Sequence, residues 1–212
     1  MDTRPSELTV AGFIGELASD RPAPGGGSAS ALAGAMAAAL VKMVVELTTG
    51  RPGAADAEDE LREVGLAAAG FQSELLQLID IDATAYDSVI AARRLPRETD
   101  RERDLRRVQI DAAVREATRS PLTIADRADQ VLKLAERVAP IGNRNAISDV
   151  GVAGVLAATA IRGAALNVRI NLPSLPDEDP LRREANERLD EILAGLEERE
   201  AALRSVVDER LG

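Results

Sequence analysis

FQSELLQLIDIDATAYDSVI, residues 71–90, decides the fold. At 100° per residue, Phe71, Leu75, Leu78, Ile79, Tyr86 and Val89 share one arc, the signature of an amphipathic helix. Asp82 lies in the middle of that arc. Asp80 and Asp87 point to nearly the opposite side, where a solvated face is expected. An ionised carboxylate on a buried stripe is costly unless it is paired or hydrogen-bonded. Desolvation would raise its pKa toward the range useful for proton transfer. Tyr86, one turn later, is placed to donate a hydrogen bond to it. The competing reading is that Asp82 caps a neighbouring loop or pairs with an arginine, and periodicity alone does not choose between them.

Outward from this segment the same period recurs, interrupted at proline and glycine clusters. It predicts helices over 6–18, 28–49, 57–93, 100–119, 120–140, from the loop GNRNAISD to about 170, and 181–209. Ser120-Pro121 reads as an N-cap followed by proline at the first helical position, hence a new helix. The expected fold is all-α, an up-and-down bundle of about six to seven helices forming one domain over 1–212. The last helix is strongly charged, with Leu181, Leu189, Ile192, Leu193, Leu196 and Leu203 as its apolar seam. With two Phe, one Tyr and no Trp, the core must be built from Ala, Leu, Val and Ile.

Composition excludes more than it suggests. The 212 residues contain no His and no Cys, which removes a Ser–His–Asp triad, a thiolate nucleophile and every His- or Cys-ligated metal site. Any enzyme chemistry rests on carboxylates, amides, hydroxyls, Lys, Arg, the single Tyr and backbone dipoles. A net charge of −10 disfavours nucleic acid as a partner. The polar N-terminus MDTRPSELTV is no signal peptide, and the uncharged run 32–41 is too short to span a bilayer, so a cytoplasmic protein is expected.

Ahead of the second helix stands RPAPGGGSAS, residues 21–30. It lacks the Lys-Ser or Lys-Thr of a P-loop and follows a helix rather than a strand, so neither nucleotide motif applies. Gly25, Gly26, Gly27 and Ser28 form either a tight turn or a site whose bare N–H groups, at the positive end of a helix, suit a carboxylate or a polarised carbonyl. Asn143, Asp149, Asn167 and Asn171 lie near turns, where such residues usually cap helices. Asp149 and Asn167 are eighteen residues apart, about 27 Å along an unbroken helix. They serve one small ligand only if the helix bends near Gly163 or a second subunit intervenes.

APGGGSASALAGAMAAALVKMV, LIDIDATAY, RRLP, SPLTIA, GNRNAISD and GAALNVRINL, in this order from about Leu8 to Leu172, resemble the cyclodeaminase/cyclohydrolase family. That family includes the C-terminal domain of formiminotransferase-cyclodeaminase. The resemblance implies a helical homodimer without a metal, acting on a tetrahydrofolate one-carbon adduct as substrate. One family activity closes 5-formiminotetrahydrofolate to 5,10-methenyltetrahydrofolate with loss of ammonia. The other interconverts the methenyl and 10-formyl forms by adding water. The family's catalytic aspartate matches Asp82. Gly25 to Ser28, Tyr86, Asn143, Asp149, Asn167 and Asn171 would line or shape the folate site. With no transferase domain ahead of residue 1, channelling within one chain is not expected, and the cyclohydrolase activity is favoured over the cyclodeaminase. A non-catalytic helical scaffold is the remaining alternative.

Overall fold

The computed structural model describes residues 3–212, and its regular structure is helical throughout. Seven α-helices follow in order: α1 (Val10–Leu17), α2 (Gly26–Thr48), α3 (Glu58–Arg93), α4 (Asp100–Val138), α5 (Ile147–Asn171), α6 (Pro180–Leu193) and α7 (Leu196–Leu211). Short 3₁₀ turns precede α1, α3 and α5. The long helices start where charge and capping favour it. Glu58, Asp59 and Glu60 sit in the first turn of α3 and Arg93 in its last, matching the helix dipole. At α4, Thr99 and Glu102 form a reciprocal capping box.

Helices α2 to α5 form a ring in which each packs on the next and α5 closes back on α2. α6 lies against α4 and α5, and α7 against α5. The helices share one apolar core, in which Leu61, Leu75, Ile79, Ile124, Leu132 and Ile161 are fully buried. α2 and α5 are each long and apolar enough to cross a membrane by length and composition. Here that character serves packing: α2 touches α3, α4 and α5 and buries residues all along its length. Gly163 marks how closely α2 and α5 approach, since a Cβ there would lie 2.4 Å from Ser30 Oγ.

The up-and-down order brings the start of α2 and the end of α5 to the same end of the ring. α3 continues eleven residues past Asp82, an overhang of about 16 Å. The notch between the short pair and the longer α3 and α4 is where the functional side chains collect.

Four local expectations are corrected. The first helix does not begin at Ser6. Pro5–Glu7 is a 3₁₀ turn, and Thr9 caps α1 by accepting from the Gly12 N–H at 3.1 Å. Ser6 is engaged elsewhere: its N–H and hydroxyl both donate to Asp80, at 2.9 and 2.5 Å. Asp80 therefore anchors the N-terminal segment rather than facing water alone. The terminal helix is split, because Gly195 adopts φ 70° and stops α6 before α7. α2 begins at Gly26, inside the glycine run, with Gly25 as its N-cap.

The fourth correction matters most. Residues 100–119 and 120–140 form one helix, α4, with Pro121 inside it. An interior proline removes one N–H and leaves the carbonyl four residues back unpaired, normally enough to break the helix. That carbonyl is Ala117 O, and Asn171 Nδ2 of α5 donates to it at 2.6 Å. A side chain fifty residues away thus supplies the bond that proline cannot.

Candidate active site

A cavity of about 210 Å³ occupies the notch. Its floor is formed by Gly26 and Gly27 of α2, its walls by Asp82 and Tyr86 of α3, Ala117 of α4, and Asn167 and Asn171 of α5. Pro22, Ala23 and Gly25 cover one side, and the exposed Ile170 stands at the rim. This is smaller than the roughly 300 Å³ and upward of pockets that engulf a whole drug-sized ligand. It accommodates the reacting end of a larger molecule.

Asp82 reaches the cavity because Gly27 has no side chain. A Cβ on Gly27 would stand 2.3 Å from Asp82 Oδ1 and 2.5 Å from Oδ2, well inside contact distance. The carboxyl therefore lies against the bare first turn of α2. No side chain caps this turn, so its N–H groups and the helix dipole face the carboxyl and the cavity. Burial pushes the Asp82 carboxyl above the ordinary aspartate range; the Ser28 hydroxyl, the Ser28 backbone N–H and the Ser120 hydroxyl pull it back. Among the described residues, no lysine or arginine lines the cavity, and Asp82 and Tyr86 are its only ionisable groups.

The buried Ser28 hydroxyl lies 3.1 Å from Asp82 Oδ2 and 3.1 Å from the Ile79 carbonyl. It has one proton and two possible acceptors. When Asp82 is ionised, Ser28 donates to it. When Asp82 is protonated, the carboxyl donates to Ser28 Oγ and the serine proton turns to Ile79 O. Both protonation states are satisfied without moving a heavy atom.

The two amides are oriented by their own bonds. Asn167 Nδ2 donates to Gly163 O at 2.8 Å, and Asn171 Nδ2 donates to Ala117 O and, at 3.0 Å, to Asn167 O. Both N–H groups of Asn171 and one of Asn167 are committed to backbone, which leaves the Oδ1 atoms as acceptors and one Asn167 N–H as a donor for a ligand. The cavity thus offers helix N–H donors on one side, amide acceptors on another, and one carboxyl between them.

The structure thus brings together Gly25, Gly26, Gly27, Asp82, Tyr86, Asn167 and Asn171, with Ser28 directly behind them. Tyr86 departs from its expected role. It is 45% exposed, and among the described residues its hydroxyl makes no hydrogen bond to Asp82; Ser28 takes that position. Asn143 and Asp149 do not reach the cavity of this chain. α5 runs unbroken through Gly163, which puts Asp149 about 27 Å from Asn167. Asn143 caps the turn before α5: its Oδ1 accepts from Asn145 N at 3.0 Å, and its N–H donates to Thr48 Oγ1 at 2.8 Å. Ala117 and Pro22 carry no sequence signal for a site, because only the tertiary path of α4 and of the loop before α2 places them here.

The geometry can be set beside known proteins. Residues 9–207 match the family described as formiminotransferase-cyclodeaminase. Methenyltetrahydrofolate cyclohydrolase of Methylorubrum extorquens is 42% identical over 184 residues, covering 87% of this chain and 86% of that protein. The mouse formimidoyltransferase-cyclodeaminase is 32% identical over 187 residues, which are 88% of this chain and 34% of the longer mouse protein. The crystal structure of formiminotetrahydrofolate cyclodeaminase from Thermotoga maritima superimposes with a TM-score of 0.85 at 27% identity, covering 97% of this chain and 98% of that one. Matched across nearly its whole length in both sequence and fold, the chain belongs to the formiminotransferase-cyclodeaminase family.

Proposed function

We propose that the protein is a methenyltetrahydrofolate cyclohydrolase, with Asp82 as the group that moves the proton. The observation that carries this reading is a lone carboxyl held against a bare helix N-terminus, in a cavity that no lysine or arginine lines among the described residues. The extensive likeness to the bacterial cyclohydrolase supports it.

In the hydrolytic direction, water adds to the methenyl carbon while ionised Asp82 takes one of its protons. The C–O bond forms and the positive charge on the N5–C–N10 bridge disappears. Protonated Asp82 then gives that proton to N5 as the C–N5 bond breaks. The remaining hydroxyl proton leaves to solvent as the formyl C=O forms on N10. One water is consumed and one proton released. Each half-step asks Asp82 for the opposite protonation state, and a carboxyl raised by burial takes up and gives back a proton more readily than an ordinary aspartate. Ser28 keeps a hydrogen bond to the carboxyl in both. Asn167 and Asn171 accept from the pterin N–H groups, and the confined cavity fixes the reacting carbon against the carboxyl.

Incubation with 5,10-methenyltetrahydrofolate should remove the methenyl absorbance faster than buffer does, forming the 10-formyl product. Incubation with 5-formiminotetrahydrofolate should release no ammonia. Rapid ammonia release in the second assay would replace the reading with cyclodeamination, run by the same carboxyl. Turnover of neither substrate would leave only a helical scaffold.

The active form is a homodimer. Met36, Met43 and Leu47 on α2 and Val152, Val155 and Leu166 on the neighbouring α5 are exposed, more apolar surface than two adjacent helices of a monomer usually present. Light scattering coupled to size exclusion should give twice the chain mass, and Leu166→Arg should shift the population toward monomer. A monomeric wild-type protein at micromolar concentration would overturn this assignment.

A further inference from the structure

Ser120 is 4% exposed, and among the described residues its hydroxyl is the buried side-chain oxygen left without a hydrogen-bond partner. Its behaviour differs from that of several other buried or half-buried helical hydroxyls. Ser30, Thr48, Thr118 and Thr123 all donate to the carbonyl four residues back, at 2.6 to 3.0 Å. Ser120 does not. It stands one turn after Ala117, which lines the cavity, and immediately before Pro121, where the helix ladder lacks a donor. A buried hydroxyl without a partner costs about 1–3 kcal/mol, so its retention calls for a use.

We infer that Ser120 is a positioning residue for Asp82, holding the carboxylate from the α4 side as Ser28 holds it from the α2 side. The inference rests on the reading of Asp82 as the proton carrier. Its physical basis is geometric: the buried Ser120 hydroxyl has no other partner and stands one turn beyond Ala117, which lines the cavity that Asp82 enters. Its influence favours the charged carboxyl against the effect of burial. Other ionisable influence is sparse. α2 brings glycines, α4 brings Ala117, and α5 brings two amides and Ile170, so Tyr86 is the sole other ionisable side chain among the described residues lining the cavity. A free hydroxyl can also rotate to accept from the protonated carboxyl, so it serves both halves of the cycle.

The test is the pH dependence of kcat for the wild type and for Ser120→Ala, Ser120→Thr and Asp82→Asn. Removing a donor to the carboxylate raises the Asp82 pKa, so the acidic limb of the Ser120→Ala profile should move to higher pH. The plateau kcat should fall about tenfold, with KM nearly unchanged. Ser120→Thr, which keeps the hydroxyl, should return the limb toward the wild-type position. Ser120→Cys keeps most of the volume with a weak donor and should follow Ser120→Ala, which covers the case in which alanine disturbs folding. A Ser120→Ala limb superimposable on the wild type, with Asp82→Asn inactive, would overturn the role of Ser120 alone. An active Asp82→Asn would overturn the underlying reading as well.

Discussion

Asp82→Asn should lower kcat by about 10²- to 10⁴-fold, the usual contribution of a positioned acid–base group, while the protein melts at the same temperature or higher at pH 7. The two halves of this expectation have one cause. Burial raises the Asp82 carboxyl above its ordinary range in the folded protein, whereas the unfolded chain keeps a value of about 3.9. Between those two values the native state binds the proton more readily. The contribution of Asp82 to stability is therefore present at low pH and is lost as pH rises through the folded value. Above that window the ionised carboxyl costs stability that a neutral amide does not. Melts of the two proteins should differ at pH 7 and converge below about pH 4. Normal turnover combined with a clear loss of stability at pH 7 would instead make Asp82 a structural cap for α2.

Gly27→Ala should be nearly as damaging through sterics alone. The added methyl would stand 2.3 Å from Asp82 Oδ1, on the face where the carboxyl meets the helix. Alanine in the first turn would otherwise favour α2 by up to about 1 kcal/mol over glycine. Overpacking of this kind costs about 1–3 kcal/mol, so the clash wins or at best cancels. The carboxyl must rotate away from Ser28 and from the substrate carbon, and kcat/KM should fall at least about a hundredfold. Gly26→Ala is the matched control. Its Cβ would approach Asn167 Nδ2 at 3.1 Å, the end of a side chain that can give, and the loss should be within about tenfold. Equal kinetics for Gly27→Ala and wild type would show that the carboxyl is not used where it lies.

Much of this was legible in the chain itself, for identifiable reasons. The period of 71–90 announces a helix with a misplaced carboxylate, and both are local properties. The glycine run announces bare backbone at a helix start. Its contact with Asp82, fifty-five residues on, comes from the family resemblance and the fold rather than from either motif. Where the reading failed, the deciding partner was remote. Pro121 looks like a helix start because its missing bond is supplied by Asn171 of another helix. Ser6 looks like a cap until Asp80 takes both its donors. Tyr86 sits on the apolar arc, but that arc runs out of the core into the cavity mouth, so the ring is half in solvent. Asn143 and Asp149 stand before and at the start of α5, far from this cavity along the helix, so one chain alone does not bring them to it.

The bond from Asn171 to Ala117 also ties the register of two helices to the shape of the cavity. One amide mends the ladder of α4 and presents its oxygen to the ligand, so the carbonyl freed by proline and the acceptor offered to a pterin are set by the same torsions. A slide of α4 along α5 by one turn, about 5.4 Å, would reopen the gap at residue 117 and swing that acceptor out of the wall. The proline, which reads as a flaw in the longest helix, thereby acts as an alignment pin between the two halves of the pocket.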